Sequence, residues 1–161
     1  VSKFDLSEKL YLEALDIDPN YIKCLNNYGN LKQQLYDYKS AVELYNRAIS
    51  IEPNNIDLLL SLASCYQYMG NVEDTKKTIF KVLNLNPENM SAHKTLSGIL
   101  NYSEDNEHLN TMDKLSEKKD LKDPQKIDLY FALGKAYEDL KDYEKSFKYL
   151  NEANKIQKKK N

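Results

Sequence analysis

The residues able to do chemistry in this sequence are few and scattered. His93 and His108 are its two histidines, and a metal centre needs imidazole, thiolate or carboxylate partners at matched spacing. His108 has no Cys or His within one helical turn, and His93 occupies an inward, aromatic-type position, where a core imidazole is expected. Cys24 and Cys65 are too few for a disulfide framework and read as small core hydrophobes. Adjacent carboxylates at Glu73-Asp74 and Glu138-Asp139 are candidates for acid/base work. Neighbours on a helix point apart, so solvated surface is the expectation for both pairs. A phosphate-cradling loop needs clustered glycines before a helix start, whereas Gly29, Gly70, Gly98 and Gly134 stand alone. No catalytic residue, metal site or cofactor is expected, and the chain reads as a non-enzyme.

The elements that must position whatever function remains are helices. The 161 residues are 41% hydrophobic and 30% charged, with only 4 Gly and 4 Pro, a composition suited to an all-helical domain. A formal net charge of -2 argues against nucleic acid as a partner, since phosphate-backbone binding needs a basic surface. The one basic cluster, Lys155, Lys158, Lys159 and Lys160, reads as a solvated helix end. No run approaches the roughly 18 apolar residues of a membrane span, and the N-terminus Val1-Ser2-Lys3-Phe4-Asp5 lacks a signal pattern. The expected setting is cytoplasmic, with no membrane partner.

Position along the chain is periodic. Pro19, Pro53 and Pro87 recur at 34-residue intervals in similar frames, Ile17-Asp18-Pro19-Asn20, Ile51-Glu52-Pro53-Asn54 and Leu85-Asn86-Pro87-Glu88. At the same offset Tyr38 aligns with Phe4 and Val72, Ala41 with Ser7 and Thr75, Tyr45 with Tyr11 and Ile79, and Ala48 with Ala14 and Val82. Helical spacing divides each unit into two helices: 22–35 and 38–51 around the turn Tyr36-Asp37, then 56–68 and 72–85 around Gly70-Asn71. Each second helix is stopped by the following proline. Gly29, Ala63 and Gly134 share a register in their first helices, and Ala48 and Ala153 in second helices, where close crossing demands small side chains.

This pattern resembles the tetratricopeptide repeat (TPR), whose period is 34 residues. The third repeat offers Leu59, Leu62-Ala63, Tyr66, Thr75, Ile79, Val82 and Pro87; the last offers Tyr130, Leu133-Gly134, Tyr137, Ser146, Leu150 and Ala153 without a closing Pro; the second departs at Lys32, where the family has Tyr. The resemblance implies an all-α, right-handed superhelical solenoid of antiparallel helix pairs. The array over 1–161 divides into a second helix of a truncated repeat (1–21), repeats at 22–55 and 56–89, a degenerate lengthened repeat at 90–126, and a last repeat at 127–161. In the degenerate repeat, helix is expected over 90–102 and again around Leu109, Met112 and Leu115, with Ser103-Glu104-Asp105-Asn106 as the break. Pro124, 37 residues after Pro87, would close it, and the charged run 114–123 would form a solvated helix end and loop. The uncapped ends suggest a piece of a longer protein.

In TPR proteins the first helices line the concave face, so their non-core positions imply a peptide-binding groove. Those positions hold Asn26, Asn27, Asn30 and Gln33, then Leu60, Ser61, Ser64, Gln67 and Tyr68, then Lys94, Thr95, Gly98, Asn101 and Tyr102, and finally Asp128, Phe131 and Lys135. Amides can pair with a peptide backbone and aromatics can anchor side chains. The carboxylate clamp of chaperone-tail-binding TPR domains is not reproduced: of its five positions, only Asn30 fits in either register. The expected function is a non-catalytic scaffold for a protein or peptide. The stretch Asp128–Phe147, with Asn151–Asn154 following, also resembles the last repeat of bacterial TPR–sulfotransferase fusion proteins. That implies an alternative, an accessory region positioning the substrate of a larger enzyme. Self-association through the uncovered terminal helices is a third reading.

Overall fold

A computed structural model describes residues 3–103 and 106–159. Val1, Ser2 and Lys160, and the Glu104-Asp105 half of the expected break, lie outside the described residues. Among the described residues there are nine helices and no strand: α1 (Lys3–Ile17), α2 (Ile22–Gln34), α3 (Tyr38–Ile51), α4 (Ile56–Tyr68), α5 (Val72–Leu85), α6 (Met90–Ile99), α7 (Glu107–Ser116), α8 (Asp123–Asp139) and α9 (Tyr143–Lys158). They fall into two units, residues 1–85 and 86–161.

The helix breaks repeat at atomic detail. Tyr36, Gly70 and Lys141 each adopt positive φ (61°, 72° and 60°) just after a helix ends. Their N–H groups donate to Gln33, Gln67 and Glu138 carbonyls, and the next N–H groups reach back to Lys32, Tyr66 and Tyr137. These paired bonds satisfy carbonyls that a helix end would otherwise leave open. The residue that follows caps the next helix: Asp37 Oδ1 accepts from Ser40 N at 3.3 Å, Asn71 Oδ1 from Asp74 N at 3.2 Å, and Asp142 Oδ1 from Lys145 N at 3.1 Å. Such a cap contributes about 1 kcal/mol. The turn chemistry is thus a short cassette, reused with different side chains.

In the first unit α1 packs on α2, α2 pairs with α3, α3 packs on α4, and α4 pairs with α5. Leu25, Tyr28, Leu31, Leu44, Leu58 and Leu62 form its core, sealed by Ala41, Tyr45, Ala48 and the thiols of Cys24 and Cys65. Gly29 is needed for close approach, because a Cβ there would lie 2.7 Å from the Tyr45 ring. Lys32 stands where the family pattern has Tyr. Its Nζ bonds Glu8 Oε1 of α1 at 2.6 Å, and the Tyr28 hydroxyl donates to the same oxygen at 2.7 Å. Those bonds, Lys32 first, hold the Glu8 carboxyl below its ordinary pKa.

In the second unit α6, α7 and α9 all pack on α8, around Met90, Met112, Leu115, Leu121, Leu129 and Leu133. Here the structure departs from the sequence expectation in four places. Helix α6 stops at Ile99 rather than Tyr102, with Leu100 extended. Side chains of α8 capture the backbone that follows: the Lys135 ammonium bonds the Leu100 carbonyl, and Asp139 Oδ2 accepts from Tyr102 N at 3.1 Å. Pro124 does not close a repeat but sits in the first turn of α8, where its missing N–H has no helical partner to lose. The charged run 114–123 is mostly exposed, but Leu121 turns inward to 7% exposure. Asp139 likewise is not a solvated surface carboxylate: it pairs with Lys135 as well as capping Tyr102.

Candidate functional site

Two adjoining cavities open on the first unit. One, of about 520 Å³, is lined by Asn30, Gln33, Gln34, Tyr36, Tyr38 and Tyr68. The other, of about 400 Å³, is lined by Phe4, Ser7, Tyr11, Asn27, Asn30, Leu31 and Gln34. Asn30 and Gln34 belong to both, so the two form one groove along α2, floored by amides and walled by aromatic rings. Among the described residues, neither lining contains a charged side chain.

The amides are oriented from below. The buried Tyr45 hydroxyl donates to Asn30 Oδ1 at 2.7 Å and lies 3.2 Å from Gln33 Oε1. Its single hydrogen serves the shorter contact. Burial pushes the Tyr45 pKa up to about 12, so it remains a neutral donor. Gln33 Nε2 in turn donates to Ser64 Oγ at 3.1 Å, tying α2 to α4. With its oxygen engaged inward, Asn30 offers the groove its amide N–H groups.

The rings are ordered among themselves. Tyr38 and Tyr68 stack with centroids 5.2 Å apart and planes 12° from parallel, and Tyr36 meets Tyr38 edge-on at 6.3 Å. Tyr36 and Tyr68 are 79% and 67% exposed, a large aromatic area left in solvent. Tyr36 also holds the left-handed turn position that Gly70 holds one repeat later. An L-residue there costs roughly 1 kcal/mol, and such strain concentrates at functional positions. Tyr36→Gly is therefore expected to leave the urea unfolding midpoint unchanged or higher, by up to about 1 kcal/mol in unfolding free energy. A clear drop would make the ring a structural element instead.

Not every sequence-derived groove residue joins this surface. Asn27, Asn30, Gln33 and Tyr68 line it. Asn26, Leu60, Ser61 and Ser64 are half-buried and Gln67 is exposed, outside both linings. In the second unit Lys94 is engaged with Asp128 at 2.8 Å and sits 5.7 Å from the Phe131 ring centroid. Thr95 bonds the Ser91 carbonyl, Asn101 and Gly98 are exposed, and Lys135 is held by Leu100 and Asp139. Tyr102 is core rather than groove, 6% exposed. Conversely, Phe4, Tyr11, Gln34, Tyr36 and Tyr38 were not anticipated as lining. The unusual residue at the Gly70-equivalent turn was the available signal for Tyr36.

A second polar constellation lies inside the second unit. The Tyr102 hydroxyl is 2.6 Å from His108 Nδ1, His108 Nε2 is 2.9 Å from His93 Nδ1, and His93 Nε2 is 2.9 Å from the Pro87 carbonyl. The carbonyl can only accept, and burial lowers both histidine pKa values, so with neutral rings every proton in the chain is fixed. His93 Nε2–H donates to Pro87, His108 Nε2–H donates to His93, and Tyr102 O–H donates to His108. Both imidazoles are neutral in this arrangement. Among the described residues, no cluster of three or more His, Cys, Asp or Glu is placed to hold a metal.

Repeated antiparallel helix pairs with fixed turn cassettes and small crossing residues define a helical-repeat protein. Models described as Tetratricopeptide repeat match residues 32–100 and 127–160, and the chain belongs to the TPR family. The stretch between the matches contains α7 and the start of α8, where the repeat is least regular. Among solved structures, the crystal structure of MamA is 21% identical, with 98% of this chain and 90% of that chain covered at a TM-score of 0.73. YrrB, titled a TPR protein with an unusual peptide-binding site, is 20% identical, covering 96% and 78% at 0.70. An O-GlcNAc transferase of Thermobaculum terrenum is 23% identical, covering 71% of this chain and 23% of that chain at 0.58. At these identities the likeness is one of fold. Comparison with the curated proteins finds no match. Among the described residues, no helix is long and apolar enough to cross a membrane.

Proposed function

We propose that this chain is a non-catalytic TPR scaffold whose first unit holds a protein segment in extended form along α2. The observation that carries this reading is the uncharged groove shared by the two cavities, with an oriented Asn30 amide between aromatic walls. Amides supply backbone hydrogen bonds, while exposed tyrosines supply anchors of the kind that dominate binding energy. YrrB, with its titled peptide-binding site, is a precedent within the same fold. In the second unit Lys94, Thr95 and Lys135 are engaged internally, so they contribute less to this reading than their register implied.

The test is selection from a displayed peptide library against the full chain and against an Asn30→Ala, Tyr68→Ala double variant. Peptides bound by the wild type are expected to lose about 10-fold or more in affinity to the double variant, the loss of one good anchor contact. Equal affinity for both proteins removes the groove from the account. Tyr102 is left out of the variant because its ring is core. The alternative, an accessory region of a larger enzyme, rests on the Asp128–Phe147 resemblance alone. Sequence flanking the chain tests it: an in-frame sulfotransferase domain supports it and an unrelated domain sinks it. Self-association has a structural motive in α1, where Leu6, Leu10 and Ile17 are 54%, 55% and 87% exposed. Light scattering across a concentration range reads it directly.

A further inference from the structure

Resting on the reading that this groove holds an extended segment, we propose that its ligand is an uncharged, proline-containing peptide. Its prolyl rings lie on the exposed Tyr36 and Tyr68 rings, which Tyr38 holds in place, and its backbone carbonyls accept from Asn30.

Charge is the first argument. Among the described residues no Lys, Arg, Asp or Glu lines either cavity, so a charged ligand side chain seated there would lose water without gaining a counter-ion. Burying an unpaired charge is strongly unfavourable. Polarity of the hydrogen bonding is the second argument. Asn30 Oδ1 is occupied by the Tyr45 hydroxyl at 2.7 Å, and the Asn30 Nδ2 has no partner among the described residues. At Asn30 the groove therefore presents a donor. A ligand backbone whose carbonyls face it fits, whereas a ligand N–H at that point meets another donor. Proline has a carbonyl and no N–H.

The rings supply the third argument. Tyr38 and Tyr68 form a stacked pair whose outer member, Tyr68, is 67% exposed, and Tyr36 stands edge-on beside them on a backbone position of positive φ. A pyrrolidine ring is flat, apolar and rigid, and lies well on an aromatic face. Proline-rich segments are already extended in the polyproline II form, so binding orders them at low entropic cost, and aromatic-lined grooves exploit this. Phe4 and Tyr11 continue the aromatic wall beyond Asn30, so the surface has platforms on both sides of the donor.

The test uses fluorescence anisotropy with three end-capped nine-residue probes: one of alternating Pro-Pro-Leu triplets, its Pro→Ala counterpart, and a version with each Leu replaced by Glu. The full chain is compared with its Asn30→Asp and Tyr68→Ala variants. Asn30→Asp keeps an oxygen for the Tyr45 hydroxyl but replaces the donor with an acceptor, so the fold is retained while the recognition is reversed. The prolyl probe is expected to bind, with a loss of about 10-fold or more for the Pro→Ala probe, for the acidic probe, and for each variant. Equal binding of the alanine probe, with Asn30 and Tyr68 still required, overturns the proline assignment and leaves the groove reading standing. Binding of the prolyl probe that is indifferent to both variants, or no binding of it at millimolar concentration, overturns the proposal. If a random peptide library then also yields no Asn30-dependent binder, the groove reading falls with it.

Discussion

Replacing Gly29 by alanine lowers the unfolding free energy of the first unit by about 1–3 kcal/mol, the usual cost of overpacking a filled core. Two effects oppose each other. Alanine is favoured over glycine in a helix interior by about 1 kcal/mol, and an exposed site would gain that amount. At position 29 the new Cβ would lie 2.7 and 2.9 Å from two carbons of the Tyr45 ring. That ring is fully buried in the cluster that includes Leu25, Ala41 and Ala48, and its hydroxyl is tied to Asn30, so moving it disturbs both. The steric cost therefore exceeds the propensity gain. A functional loss accompanies it, since displacing Tyr45 withdraws the hydroxyl that orients Asn30. Gly134 provides an internal control at the equivalent register of the last repeat. Its added Cβ would meet Leu150, a half-buried aliphatic side chain able to change rotamer, at 2.5 Å. Gly134→Ala is expected to cost less than Gly29→Ala. Urea unfolding followed by circular dichroism measures both, and an unchanged or raised midpoint for Gly29→Ala contradicts the packing argument.

That pair of glycines also indicates what a sequence of this kind reveals. Their register follows from the 34-residue period, as do most helix limits in the first unit, because local turn cassettes set them: Tyr36-Asp37 and Gly70-Asn71 are punctuation wherever they fold. Helix α6 ends where it does for a different reason. Lys135 and Asp139 of α8 seize the backbone at Leu100 and Tyr102, partners 35 and 37 residues away, and no local pattern announces them. Tyr102 illustrates the consequence. It lies one period after Tyr68, so register assigns both to the groove, but the early end of α6 turns Tyr102 into the core while Tyr68 stays outside. The groove itself was half legible. Its amides sit on a helix face that periodicity predicts, whereas Tyr36 and Tyr38 come from the turn, where a side chain's direction depends on the sign of φ rather than on helical phase. The pairing of His93 with His108 was hidden for the same reason as the end of α6, since their contact is tertiary.

Acidification from pH 7.5 to 5 weakens the second unit selectively, and the histidine chain is the cause. Both histidines of the protein lie in that unit. Burial, followed by the neighbouring His93, lowers the His108 pKa to about 4, and burial also lowers His93. Protonating His93 would set two N–H donors face to face at 2.9 Å unless His108 moved its proton to Nδ1, and that shift, like protonating His108 at Nδ1, would force the Tyr102 hydroxyl to reverse. Lys135, 5.4 Å from the Tyr102 ring centroid, adds a nearby positive charge, though its ion pair with Asp139 partly offsets it. The sign follows from linkage. With folded pKa values below the ordinary histidine value near 6.5, the unfolded chain binds protons that the folded chain refuses, so stability is full above about pH 6.5 and falls as pH drops toward about 4. Allowing for solvent screening of the half-buried His108, the loss by pH 5 is about 1–2 kcal/mol. In the first unit the shifted carboxyls are Glu8 and Asp37, both lowered, and their contribution is lost only below the ordinary carboxylate range. Amide hydrogen exchange at pH 7.5 and 5, corrected for intrinsic rates, should show protection falling in α6, α7 and α8 but not in α2 to α4. A His93→Phe, His108→Phe double variant should flatten the difference. Uniform protection of the second unit across that interval would mean that the imidazoles accept their protons without cost, and the directional chain from Tyr102 to Pro87 would not describe the folded state.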